Sequence, residues 1–142
     1  YCGSWIKHCG WYPDKKIRIF NKQSVKWQGE LVHETLFLPE NTQIIPLKGD
    51  LLHYSYKNTS SHLQQFDKFT TLTAQEAHKN GKKVSLFGLY FRPKWKFLKD
   101  YIFKLGFLDG YAGYQVCKLS ATATFLKYAK LKELNDNENT NK

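Results

Sequence analysis

The sequence predicts an α+β chain: short strands and loops over residues 1–57, about three helices over 58–135, and an acidic, disordered tail over 136–142. Three observations predict it. Apolar residues alternate in the first third, they recur at threes and fours from Asn58 onward, and 42% apolar with 16% aromatic content over 142 residues suits one folded chain with a core.

The elements follow in order. "KIRIF", residues 16–20, sets Ile17 and Ile19 on one side and Arg18 on the other, the period of a half-buried strand. "TLFLP" at 35–39 and "DLLHYSY" at 50–56 read as further short strands, separated by "ENTQIIPLKG" with its Pro46 and Gly49 breaks. In "NTSSHLQQFDKFTTLTAQEAHKNGKK", Ser60 or Ser61 can cap a helix, Leu63, Phe66, Phe69 and Leu72 recur at threes, and Asn80-Gly81 supplies the stop. Pro93 is expected to break the next segment. Beyond it Trp95, Leu98, Tyr101, Ile102 and Leu105 share a helical face that Gly106 or Gly110 ends. A last helix is expected from about Tyr111 to Leu134, with a narrow stripe of Val116, Ser120, Ala121, Ala123, Thr124, Phe125, Tyr128 and Leu131.

Charge and cysteine usage narrow the function. The net charge of +10 is uneven: residues 82–132 hold eleven lysines and arginines against Asp100 and Asp109 alone, a local +9. Such a segment seeks an anionic partner, a phospholipid surface or a nucleic acid. Cys2, Cys9 and Cys117 are an odd, sparse set, which argues against a disulfide framework and fits a reducing compartment. Cys2, His8 and Cys9 match no zinc spacing. No run approaches the roughly 20 apolar residues of a spanning helix. The absence of Met marks the chain as an expected piece of something longer, or a processed form.

Four stretches carry candidate chemistry. Gly10, before Trp11-Tyr12-Pro13-Asp14, suits a loop whose backbone passes close to a ligand, and equally an ordinary Pro-Asp surface turn. His33-Glu34 stands at the mouth of the strand "TLF", where a carboxylate can serve as general base or simply face solvent. His53, between Leu51-Leu52 and aromatic residues, offers an imidazole to a cation or a hydrogen bond to the core. "RPKWKFLKDYIFKLGF" interleaves Lys94, Lys96, Lys99 and Lys104 with Trp95, Phe97, Tyr101 and Phe103. Cations there can meet lipid phosphates while the rings settle at headgroup depth, each basic residue contributing about 1 kcal/mol on an anionic leaflet. A nucleic-acid groove can use the same residue types.

Taken together and in this order, "GSWIKHCGWYPDKKIRIFNK", "GELVHETL", "LKGDLLHYSY" and "YIFKLGFLDGYAGYQVCKLSATATFLKYAKLKEL" closely resemble the C-terminal half of bacterial family 2 glycosyltransferases. The nearest group is that of lipopolysaccharide core biosynthesis, similar to the inner-core β-1,4-glucosyltransferases. The resemblance implies the C-terminal part of a GT-A, Rossmann-like fold, with residues 1–57 belonging to the catalytic core and 58–135 forming a membrane-associating portion. It implies Glu34 as catalytic base and His53 as a ligand of Mg²⁺ or Mn²⁺ beside the diphosphate. Gly10, Trp11, Tyr12, Asp14 and His33 would line the donor or acceptor pocket. Lys94, Trp95, Lys96, Lys99 and Lys104 would face the membrane.

The implied reaction transfers a hexose, with inversion, from a nucleotide sugar, UDP-glucose foremost, to a lipid-linked saccharide. The implied place is the cytoplasmic face of the inner membrane, with no nucleic acid as partner. One departure from the pattern is large: no Asp-x-Asp occurs before the acidic tail, so these residues alone are expected to lack a complete donor site. The rival reading is a non-catalytic basic module that binds an anionic membrane surface or nucleic acid.

Overall fold

The structure, a computed structural model, describes residues 1–28 and 35–140, Asn139 by its backbone alone; His33 and Glu34 lie outside the described residues. The chain divides into a unit of residues Lys15–Tyr54 and a unit that joins Tyr1–Asp14 to Ser55–Lys142. Residues 1–14 therefore belong with the helices, and not with the strand portion as expected from the sequence.

The smaller unit holds an antiparallel pair, β1 (Lys26–Gln28) and β2 (Thr35–Phe37), with Trp27 opposite Leu36. Phe20 meets Trp27 edge to face, with centroids 6.1 Å apart. "TLF" is thus a strand, but "KIRIF" and "DLLHYSY" are not. An isolated strand leaves its backbone donors and acceptors unpaired, and alternation alone supplies no partner. Ile19, Ile44, Ile45, Leu47, Leu51 and Leu52 stay largely exposed in consequence.

In the larger unit α1 (Thr59–Lys79), α2 (Leu86–Leu98) and α3 (Gly110–Thr140) form the body, with α1 and α2 each packed on α3. Asn58 caps α1 through a reciprocal box with Ser61, two or three residues ahead of the expected caps Ser60 and Ser61. The buried face of α1 is His62, Phe66, Thr70, Ala74 and Ala77, whereas Leu63 and Phe69 are exposed. Spacing by fours and threes keeps that stripe on one side of a 3.6-residue turn, and its small Ala74 and Ala77 let α1 close on Leu131 of α3. His62 sits against the rings of Tyr1, Tyr56 and Phe66, and burial pulls its imidazole below the ordinary histidine range.

Pro93 lies inside α2 and does not break it. Proline there removes the bond to the carbonyl four residues back. Burial of Gly88 and Leu89, and the Arg92 guanidinium seated 4.5 Å over the Tyr128 ring, hold the helix against α3 regardless. After Leu98 the chain winds through a π turn over Lys99–Phe103 and a 3₁₀ turn over Gly106–Asp109 before α3 begins. The last helix continues through residues 135–140, where composition pointed to disorder. Asn135 bridges His78 and the Lys82 carbonyl, and Lys132 pairs with Asp136 at 2.6 Å, so contacts with the end of α1 and within α3 hold that part of the helix.

Candidate functional site

The N-terminal segment is bound to the turn between α2 and α3 through the buried carboxylate of Asp109, and a second buried carboxylate, Asp100, stands in the same turn. Asp109 Oδ2 accepts the amides of Lys7 and His8 at 3.1 and 2.8 Å, and its Oδ1 lies 2.8 Å from His8 Nδ1. Cys9 N donates to the Lys104 carbonyl at 3.1 Å. Asp100, with its side chain 3% exposed, meets Lys96 Nζ at 2.6 Å and Lys104 Nζ at 3.3 Å, the second an ion pair without hydrogen-bond alignment. These are the only two acids in the strongly basic segment 82–132, and both are buried. Charge counting registered them only as a minor offset; their isolation among cations was the available signal.

Gly10 adopts a φ of +77°, and the side chain of Lys104 lies across it, so a Cβ there would stand 2.8 Å from Lys104 Cδ. Two further glycines make the turn possible. A Cβ on Gly106 would approach the Asp100 carbonyl and Cys117 Sγ at 2.8 Å each and Cys9 Sγ at 2.9 Å. On Gly113 it would overlap the Gly106 carbonyl oxygen.

His8, Cys9 and Asp109 together suggest nucleophilic catalysis, but the geometry denies it. The Cys9 thiol donates to the Gly113 carbonyl at 3.6 Å and accepts from Cys117 Sγ at 3.3 Å, while His8 Nδ1 is held by Asp109. Burial and the neighbouring thiol push Cys9 up, and burial pushes Cys117 up as well, so both stay protonated. An aromatic thiol-reactive disulfide is expected to label Cys2 in the native protein and to reach Cys9 and Cys117 only on unfolding. Rapid native labelling of two or three thiols would overturn this assignment.

The expected site residues separate. Trp11 packs against the core of the larger unit, edge-on to Tyr1 at 5.8 Å, whereas Gly10, Tyr12 and Asp14 beside it are exposed. His53 is an exposed residue of the smaller unit. Among the described residues no three metal-ligating side chains gather, so the chain's described residues do not fit a complete metal site. Lys96 and Lys104 bring their ammonium groups to Asp100 at 2.6 and 3.3 Å while their side chains stay partly exposed, 40% and 39%. Lys94 and Lys99 form no ion pair among the described residues.

Beside them Phe87, Phe91, Trp95 and Phe103 form a row of successive ring contacts at 5.4, 6.4 and 5.9 Å. Phe87 and Phe103 are 74% and 67% exposed, far beyond what a core face shows. No helix of the described residues is long and apolar enough to cross a membrane.

Comparison with known proteins gives a consistent relationship. No family model and no solved structure matches. An uncharacterised glycosyltransferase of Rickettsia typhi is 28% identical over 128 residues, 85% of this chain and 44% of its own length. Its namesake in Rickettsia prowazekii is 27% identical with the same coverage, and one in Rickettsia felis is 25% identical over 84% of the chain and 45% of its own length. The chain spans less than half the length of these curated relatives and is related, over most of its own, to proteins named as glycosyltransferases.

Proposed function

We propose that the chain is part of an inverting, GT-A-type glycosyltransferase acting on a lipid-linked saccharide at an anionic membrane. The relationship to three glycosyltransferase-named proteins over at least 84% of the chain carries the reading. The order of the four motif blocks supports its finer parts. In this reading Glu34 accepts the proton of an acceptor hydroxyl as that oxygen bonds to the anomeric carbon of a UDP-hexose and the bond to the diphosphate breaks. UDP then leaves. His53 offers one ligand to Mg²⁺ or Mn²⁺, and the proton transfer at Glu34 is argued without the ion.

The exposed ring row of α2, flanked by Lys94 and Lys99, supports the membrane part of the proposal: rings enter the headgroup region while cations meet phosphates. UDP release from UDP-hexoses, measured with the full-length protein and lipid-linked acceptors, tests the chemistry. Absence of acceptor-dependent UDP with every hexose tried removes it. For the surface, Phe91→Ala combined with Trp95→Ala is expected to weaken binding to phosphatidylglycerol vesicles about tenfold or more, since each ring buries on the order of 2 kcal/mol of apolar surface. Unchanged sedimentation would show that the row faces something other than lipid.

A further inference from the structure

A second basic feature lies apart from the α2 ring row. Lys82 and Lys83 after α1, Arg92 of α2, and Lys127 and Tyr128 of α3 line a cleft of about 370 Å³ floored by Ala77 and Leu131. That volume lies within the roughly 300–1,000 Å³ of small-molecule sites. Four cations surround it and no acidic residue lines it.

The contrast with the rest of the unit is informative. Lys96 and Lys104 share Asp100, Lys130 pairs with Asp67 at 2.6 Å, and Lys132 pairs with Asp136 at 2.6 Å. Lys82, Lys83, Arg92 and Lys127 form no ion pair among the described residues. Like charges gathered around one hollow repel one another unless an anion enters.

The cleft is also partly organised. Tyr128 holds the Arg92 guanidinium 4.5 Å above its ring, with Lys127 Nζ at 5.9 Å, so two of the cations are positioned by one buried-edge aromatic. A guanidinium fork with several ammonium groups matches a tetrahedral, multiply charged oxyanion better than a single carboxylate. A nucleic acid needs a continuous charged track with stacked bases, and this cleft is a single hollow with one ring already occupied by Arg92.

We infer that the Lys82–Lys83–Arg92–Lys127 cleft binds a phosphate group, a phosphomonoester or diphosphate, carried either by a soluble molecule or by a lipid headgroup. The inference does not rest on the glycosyltransferase reading.

Inorganic pyrophosphate titrated into the full chain, followed by calorimetry and by amide shifts, tests it. Saturable binding is expected, with the largest shifts at Lys82, Lys83, Lys127 and Tyr128. Lys83→Gln with Lys127→Gln is expected to lower affinity about tenfold, and the charge-matched pair Lys22→Gln with Lys118→Gln to leave it unchanged. Phosphatidylcholine vesicles with and without phosphatidic acid separate the sources. If the cleft pair lowers vesicle binding more than the charge-matched pair, a lipid phosphate is the ligand. If only pyrophosphate binding responds, it is a soluble one. Equal losses in both pairs, or neither probe binding, overturn the inference. Should the cleft pair fail to fold, the shift map of the unaltered chain decides: shifts spread evenly over all lysines overturn the site.

Discussion

Glu34→Gln is expected to reduce sugar transfer by the full-length protein about 10²- to 10⁴-fold, the range a positioned general base contributes. Glutamine keeps the size of the side chain and an oxygen acceptor, so the acceptor hydroxyl can still be oriented. What it loses is the capacity to take a proton. The barrier to attack on the anomeric carbon rises while the ground-state complex is preserved, so kcat should fall with the donor's dissociation constant held within about twofold. Two outcomes count against different parts of the proposal. A Glu34→Gln enzyme within tenfold of the parent leaves a glycosyltransferase whose base lies elsewhere. A parent that releases no UDP with any hexose and acceptor ends the glycosyltransferase reading, whatever the variant does.

Gly113→Ala, in the first turn of α3, is the second large effect. In an exposed helical position this change ordinarily stabilises by about 0.5–1 kcal/mol, because alanine restricts the unfolded chain and favours the helix. Here the added methyl would overlap the Gly106 carbonyl oxygen and stand 2.8 Å from Asp109 Cβ. Neither neighbour is free to yield: Gly106 is itself closed in by Cys9 and Cys117, and Asp109 holds the amides of Lys7 and His8. The sign therefore reverses, to a destabilisation of about 3 kcal/mol or more, the upper part of the range for overpacking. Urea unfolding followed by circular dichroism measures it. A midpoint at or above that of the parent would show that the turn and the N-terminal segment are not packed as described. Gly81→Ala is a useful contrast, since open space surrounds that position and only its φ of +66° opposes a side chain. Its smaller loss should lie near the 1–2 kcal/mol of a strained left-handed residue.

The sequence by itself determined the α+β class of the chain and the extent of α1, but not that of α2, which begins at Leu86 and passes through Pro93. Helical periodicity was legible in α1 because its causes are local: polar capping residues just ahead of it, a glycine stop after Asn80 and apolar residues at helical spacing between them. The basic character of residues 82–132 and the relationship to glycosyltransferases were legible for the same reason, since charge and motif order are properties of the chain alone.

Everything that depends on a partner far along the chain was decided by tertiary structure. "KIRIF" has a strand's alternation, but no edge among the described residues pairs with it, and it is not a strand. Pro93 has a helix breaker's chemistry, but α2 is held on α3 and passes through it. Residues 1–14 read as part of a strand region and join the helices, because Asp109, about a hundred positions away, supplies the acceptor for the Lys7 and His8 amides. The same holds for function. Lys96 and Lys104 carry the same charge as Lys94 and Lys99, yet only the first pair meets Asp100. Four cations scattered between residues 82 and 127 became one cleft only when three helices closed around Tyr128. Local energetics are written into neighbouring residues, whereas ion pairing, burial and the assembly of a site arise from contacts that only the folded chain creates.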